Sequence, residues 1–166
     1  MRRMIIILGM AWVLTGCAGR DDDHEYDLLD QVAYWQIREK MVTDLPYRAD
    51  GVIDLGLAKE ISMNVFHEID LDYRKTSYVY PTSREVLSAG SAVCIGYAVL
   101  IYSELRAAGF PDDALYIAMS LDHAVACVEY GGDIYCFDRT RFETRLDDLI
   151  DFQPILFFNL FGAWMP

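Results

Sequence analysis

Four cysteines and three histidines stand in 166 residues, and acyl-transfer chemistry through a covalent intermediate needs one of each in the right place. Cys94 falls near the first turn of GSAVCIGYAVLIYSELRAAGF, residues 90 to 110. There Ala98, Ile101, Tyr102 and Leu105 recur at helical spacing, and the segment closes on Gly109 with Pro111 just beyond, a helix with a glycine stop. A helix start carries partial positive charge and N–H groups without helical partners, and both stabilise a thiolate. The thiolate is the attacking form, so the position suits a nucleophile. The other role open to Cys94 is that of a small apolar side chain on a packing helix.

A nucleophile needs a base. His24 lies in the acidic run DDDHE, residues 21 to 25, which has no apolar partners and reads as a solvated stalk. His67 lies in GLAKEISMNVFHEI, residues 56 to 69, where Leu57, Ile61, Val65 and Ile69 form the apolar stripe of an expected helix. That places His67 on another face, with Glu60 and Asn64. His123 remains. It opens HAVACVEY, where the apolar period changes from that of a helix to that of a strand, as it also does in ALYIAMS just before it. The following GGD and IYCFD read as a turn and a returning strand. A two-residue turn at Gly131 and Gly132 puts Tyr130 opposite Asp133 and, counting back, Cys127 opposite Cys136. In a non-hydrogen-bonded pair the two Cα atoms lie about 4.5 Å apart, within disulfide range, so a Cys127–Cys136 bridge is expected. The same register makes His123 and Asp138 diagonal neighbours on one face, with Cα atoms ~7–8 Å apart. Cys94 as nucleophile, His123 as base and then acid, and Asp138 as the group that orients the imidazole would make a Cys-His-Asp triad.

The elements around these residues suit one domain. MRRMIIILGMAWVLTGC opens basic, runs apolar from Met4 to Leu14 and ends on small residues before Cys17. The ending LTGC resembles the bacterial lipobox, which implies a signal peptide over 1–16 and a lipid-acylated Cys17, with residues 17–25 as anchor and acidic stalk. Residues 26–166 then form the folded domain. Its first element is an expected packing helix over 26 to 42, ended by Leu45-Pro46, and residues 70 to 88 read as an irregular lead-in to the Cys94 helix. The net charge of −12 becomes −14 once Arg2 and Arg3 leave with the signal, and such a surface repels nucleic acid. The run ILFFNLFGAWMP is too short to span a bilayer as a helix and reads as a core-closing segment.

The runs around Cys94, His123 and Asp138 resemble the core of the transglutaminase-like superfamily. VYPTSREVLSAG, with Thr82, Glu85 and Leu87, resembles its approach to the nucleophile, and Pro154, Phe158, Asn159, Gly162 and Trp164 match a Pro-x-x-x-Phe-Asn-x-x-Gly-x-Trp ending. Together they resemble the bacterial transglutaminase-like cysteine proteinases over residues 55 to 166. The resemblance implies an α+β, papain-like core in which the nucleophile helix packs against an antiparallel sheet, and Cys94, His123 and Asp138 as catalytic residues. Tyr80 stands where the family has Trp, a candidate donor to an oxyanion beside the Cys94 N–H, with packing as its alternative role. Adhesin-clipping members carry acidic residues around the cysteine that are associated with calcium. Here Val93, Ile95 and Gly96 stand in those places and offer no oxygen side chain, so no metal or other cofactor is expected.

The resulting expectation is a thiol hydrolase, a peptidase acting through a thioester on a polypeptide of the bacterial cell envelope. It would be held by lipid at Cys17 and face the periplasm, with Ala18 favouring the outer membrane. Two alternatives stay open: transfer of the acyl group to an amine, and a catalytically silent binding lipoprotein of the same fold.

Overall fold

The computed structural model describes residues 51–72, 82–138, 144–149 and 152–164. The expected signal peptide, Cys17 anchor, stalk and 26–42 helix lie outside the described residues, as does Tyr80.

Helix α1, Leu55–Glu68, begins where the Asp54 carboxylate accepts hydrogen bonds from the Gly56 and Leu57 N–H groups, at 2.8 and 3.2 Å. Its position agrees with the apolar pattern, but its buried face is Ala58, Ser62 and Val65, continued by Ile69 just past its end. Leu57 is exposed and Ile61 half-buried. A stripe at strict intervals of four drifts around a helix of 3.6 residues per turn, whereas the mixed intervals of four and three between Ala58 and Ile69 stay on one side. His67 is exposed, as expected.

The stretch after α1 is more ordered than its sequence suggests. Strand β1, Asp70–Leu71, pairs in parallel with β2, Ser91–Ala92, and between them helix α2 spans Ser83–Ala89. Thr82 caps α2: its hydroxyl accepts the Glu85 N–H at 3.1 Å while the Glu85 carboxylate accepts the Thr82 N–H at 2.7 Å, a reciprocal capping box. Gly90, at φ 64°, ends the helix in the left-handed conformation. Where the expected irregular lead-in over 70 to 88 is described, it is corrected to a short strand at its start and a capped helix at its end, and residues 73–81 lie outside the described residues.

Helix α3, Cys94–Ala107, is the centre of the molecule. Ala98, Ile101, Tyr102 and Leu105 are all fully buried, and a fully buried Ile or Leu contributes roughly 1.5–3 kcal/mol. The helix packs on the main sheet and carries α1 and α2 on its other sides. Buried Ser83 donates to Ser103 Oγ at 2.8 Å, and Ser103 donates in turn to the Val99 carbonyl, tying α2 to α3.

The main sheet joins β3 (Leu115–Met119), β4 (Ala124–Tyr130), β5 (Asp133–Phe137), β6 (Thr144–Arg145), β7 (Leu156–Asn159) and β8 (Gly162–Trp164) in the order β6-β5-β4-β3-β7-β8, with every pairing antiparallel. Gly131 and Gly132, at φ 65° and 89°, form the tight β4–β5 turn, which needs positive φ at both central residues. The register follows the expectation, with Tyr130 opposite Asp133 and Cys127 opposite Cys136. One face of the sheet buries Ile117, Ala126 and Val128 against α3, and the other buries Ala118, Val125 and Cys127 beneath Leu149, Phe152 and Phe157. The aromatic C-terminal run becomes the β7–β8 hairpin and closes the sheet beyond β3, as its reading as a core segment anticipates.

The expected Cys127–Cys136 disulfide is not formed in this structure. The two buried sulfurs lie 2.6 Å apart as free thiols. Register brings them together, but a covalent bond also needs an oxidant to take two electrons, and register does not supply that.

Candidate active site

Cys94 is the first residue of α3, half-buried, and the preceding Val93 is the N-cap in an extended conformation. Valine offers no side-chain oxygen, so no cap from Val93 occupies the N–H groups of the first turn. They surround the thiol with partial positive charge. The sequence places Cys94 here because apolar side chains behind it anchor the helix from Ile95 onward.

His123 stands one residue ahead of β4 and Asp138 one residue beyond β5. The glycine turn sets the register that makes them diagonal partners. His123 Nε2 donates to Asp138 Oδ2 at 2.9 Å, with the two side chains 27% and 20% exposed. That is open enough for a substrate to reach, and enclosed enough that water competes weakly for the hydrogen bond. Cys94 acts on the same imidazole and favours its protonated form. Since Nε2 is engaged by the carboxylate, Nδ1 is the ring nitrogen left for the thiol.

These contacts decide the charge of the ring. The hydrogen bond that the ring donates to Asp138 first, and then its interaction with Cys94, push His123 up to about 10, the negative charges of the two adding to the effect while burial works against it. At neutral pH the imidazole therefore carries its second proton. Phe152 meets the ring edge-on, with centroids 6.2 Å apart at 87°, and limits its rotation. Behind the pair a cavity of about 20 Å³, room for roughly one water, is lined by His123, Val125, Cys136, Asp138, Leu149 and Phe152. The histidine thus stands at the end of the sheet, with the thiol on the α3 side and an apolar backing on the other.

The three residues read from the sequence are brought to one place, and His67, exposed on α1 against the Phe66 ring, is not part of it. Val93 is half-buried, and Ile95 and Gly96 are buried; among the described residues no group of three or more His, Cys, Asp or Glu side chains gathers as metal ligands would. Sequence reading missed Phe152 and Leu149, which reach the site from a distant segment without any local pattern. It also missed the ordered turn that carries His123, whose only trace in the sequence is a serine three residues upstream.

A helix-start thiol facing an imidazole–carboxylate pair at the end of an antiparallel sheet is an α+β, papain-like arrangement. No family model matches the chain, and no curated protein matches it. Among solved structures it is similar to LapG of Legionella pneumophila. Against the calcium-bound form the TM-score is 0.58 at 16% identity, covering 80% of this chain and 76% of LapG. Against the EGTA-treated form it is 0.59 at 16% identity, covering 81% and 74%. At that identity the likeness is one of fold, and the fold is the one expected. No helix among the described residues is long and apolar enough to cross a membrane.

Proposed function

We propose that this chain is a cysteine hydrolase acting on polypeptides, with Cys94 as nucleophile, His123 as proton carrier and Asp138 as its orienting carboxylate. The observation that carries the reading is the His123 Nε2–Asp138 Oδ2 hydrogen bond at 2.9 Å, with Cys94, the first residue of a buried helix, acting on the same imidazole. The similarity to LapG in fold agrees with it.

In this reading the Cys94 thiolate adds to the scissile carbonyl, and the oxyanion is met by the Cys94 backbone N–H, with the Tyr80 hydroxyl as candidate second donor. His123 gives its proton to the leaving amine as the carbon–nitrogen bond breaks, which leaves a thioester on Cys94 and a neutral imidazole. Water then adds to the thioester, losing a proton to His123, and collapse releases the carboxylic acid and restores the thiolate–imidazolium pair. Asp138 accepts the Nε2 hydrogen bond throughout and keeps its own protonation state. Lipidation of Cys17 would hold this domain on the periplasmic side of the cell envelope, where its substrate would be an envelope polypeptide.

The test compares envelope proteins released by cells carrying the wild type and Cys94→Ala, analysed by mass spectrometry. Fragments present only with the wild type are expected. Crosslinked species in their place would assign the acyl-enzyme to an amine acceptor, and identical profiles would overturn the enzyme.

A further inference from the structure

The segment between β3 and β4 is four residues long, Ser120-Leu121-Asp122-His123, and its hydrogen bonds converge on one side chain. The Ser120 N–H donates to the His123 carbonyl at 2.8 Å, closing the loop. In an ordinary hairpin the returning bond would run from the His123 N–H to the Ser120 carbonyl. Here the His123 N–H donates to Ser120 Oγ instead, at 3.1 Å. The same hydroxyl donates to Asp122 Oδ1 at 3.0 Å, the shorter of its two contacts, since the His123 carbonyl lies 3.3 Å away. The Ser120 hydroxyl therefore accepts from His123 and donates to Asp122 at once. His123 is gripped at its backbone by Ser120 and at its ring by Asp138, so the two grips together set the direction of the imidazole.

We propose that Ser120 is a positioning residue for His123, its hydroxyl holding the backbone from which the imidazole is aimed at Cys94. The proposal rests on the Cys94–His123 reading above. Alanine removes the side-chain acceptor that the His123 N–H has among the described residues, and the turn is free to relax toward the main-chain hairpin bond. The ring then swings relative to Cys94, the Asp138 hydrogen bond lengthens, and the imidazolium loses part of what holds its proton. Threonine keeps the oxygen and restores the grip.

The experiment uses the full chain and reads alkylation of the Cys94 peptide by iodoacetamide, quantified by mass spectrometry over a pH series that brackets about 10, the titration of His123. Wild type is expected to show an upper inflection set by His123. Ser120→Ala is expected to move that inflection to lower pH and to slow alkylation near neutrality about three- to tenfold, the scale of one lost hydrogen bond. Ser120→Thr should restore both. A serine that merely stabilised the loop would lower the melting temperature and leave the inflection where it was, and that outcome overturns the proposal, as does failure of Ser120→Thr to rescue. If Ser120→Ala does not fold, Ser120→Thr against Ser120→Val, matched in volume with and without the hydroxyl, reads the same difference. His123→Ala separates the two levels of inference. An unchanged profile there removes the Cys94–His123 pair itself, whereas a changed profile beside an unchanged Ser120→Ala removes only the role of Ser120.

Discussion

Asp138 and Cys94 favour on His123 a proton that burial alone would drive off, so the charge of this one ring ties stability to pH. In the unfolded chain it titrates near 6.5 and in the folded protein near 10. A group whose folded pKa is raised contributes stability that is fully present below the unfolded value and is lost as pH rises through the folded one. The thermal midpoint of the wild type is therefore expected to fall between about pH 6.5 and about pH 10, and His123→Ala should lack that part of the slope. Calorimetry across the interval decides it, and parallel curves would remove the pairing as a stabilising contact. For turnover, Cys94→Ala and His123→Ala should each cost on the order of 10³-fold or more with the fold kept, since in the proposed mechanism each takes part in the bond changes. Asp138→Asn should keep part of the activity, because it orients the ring without exchanging a proton. His67→Ala, on the exposed face of α1, should stay near wild type. A reversal of the two histidines in kinetics on the released substrate would move the base elsewhere.

Among the elements, the β4–β5 hairpin does the most positioning, and its two glycines set everything that follows. The register they impose places His123 beside Asp138 and, one step further along the same strands and face, Cys127 beside Cys136. Treatment of the folded protein with a disulfide oxidant such as oxidised glutathione is expected to join the two thiols, with loss of two protons and two electrons to the oxidant. The bond should stabilise by about 2 to 3 kcal/mol, the scale for so short a closed loop. Peptide mapping without reductant checks the linkage, and two free thiols, or a bond from either to Cys94, would refute it. The capping box makes a separate claim on α2. Thr82→Ala removes the acceptor for the Glu85 N–H and should cost about 1 kcal/mol in urea unfolding. As α2 is tied to α3 through Ser83 and Ser103, part of that loss should appear as faster unfolding near Cys94 in hydrogen exchange.

At the scale of the whole molecule the site belongs to no single layer. The thiol comes from the helix, the imidazole and carboxylate from the sheet, and Phe152 behind the ring from the segment that covers the opposite face. Removing the cover without touching the chemistry is thus expected to loosen the pair. The acidic chain as a whole, at −12, leaves the anchor as its expected means of meeting a membrane. Cys17→Ala should release the protein from the membrane fraction while leaving activity of the folded domain intact, because in the proposed arrangement anchor and stalk precede the domain. A Cys17→Ala protein that still sediments with membranes after signal cleavage would overturn the lipid anchor.

What the sequence by itself determined was whatever depends on local pattern: α3 from its apolar spacing and glycine stop, the strands from their alternation, and the cross-strand partners from two glycines that permit only a tight turn. His123 and Asp138 were therefore legible as neighbours, because a hairpin register is arithmetic once its turn is known. The capping box was present in Thr82 and Glu85, but α2 went unread because two irregular-looking flanks hid a seven-residue helix. Tertiary structure decided which side of α1 is buried: the row Ala58, Ser62, Val65 and Ile69 keeps to one side of the helix, but it includes a serine, so the apolar pattern alone does not single it out. Tertiary structure alone brought Phe152 and Leu149 behind the histidine, because contacts between distant segments are chosen by how the layers pack. And it alone turned Ser120 from a loop serine into the acceptor for the His123 N–H, because a hydroxyl bonds to whatever the closed turn presents to it.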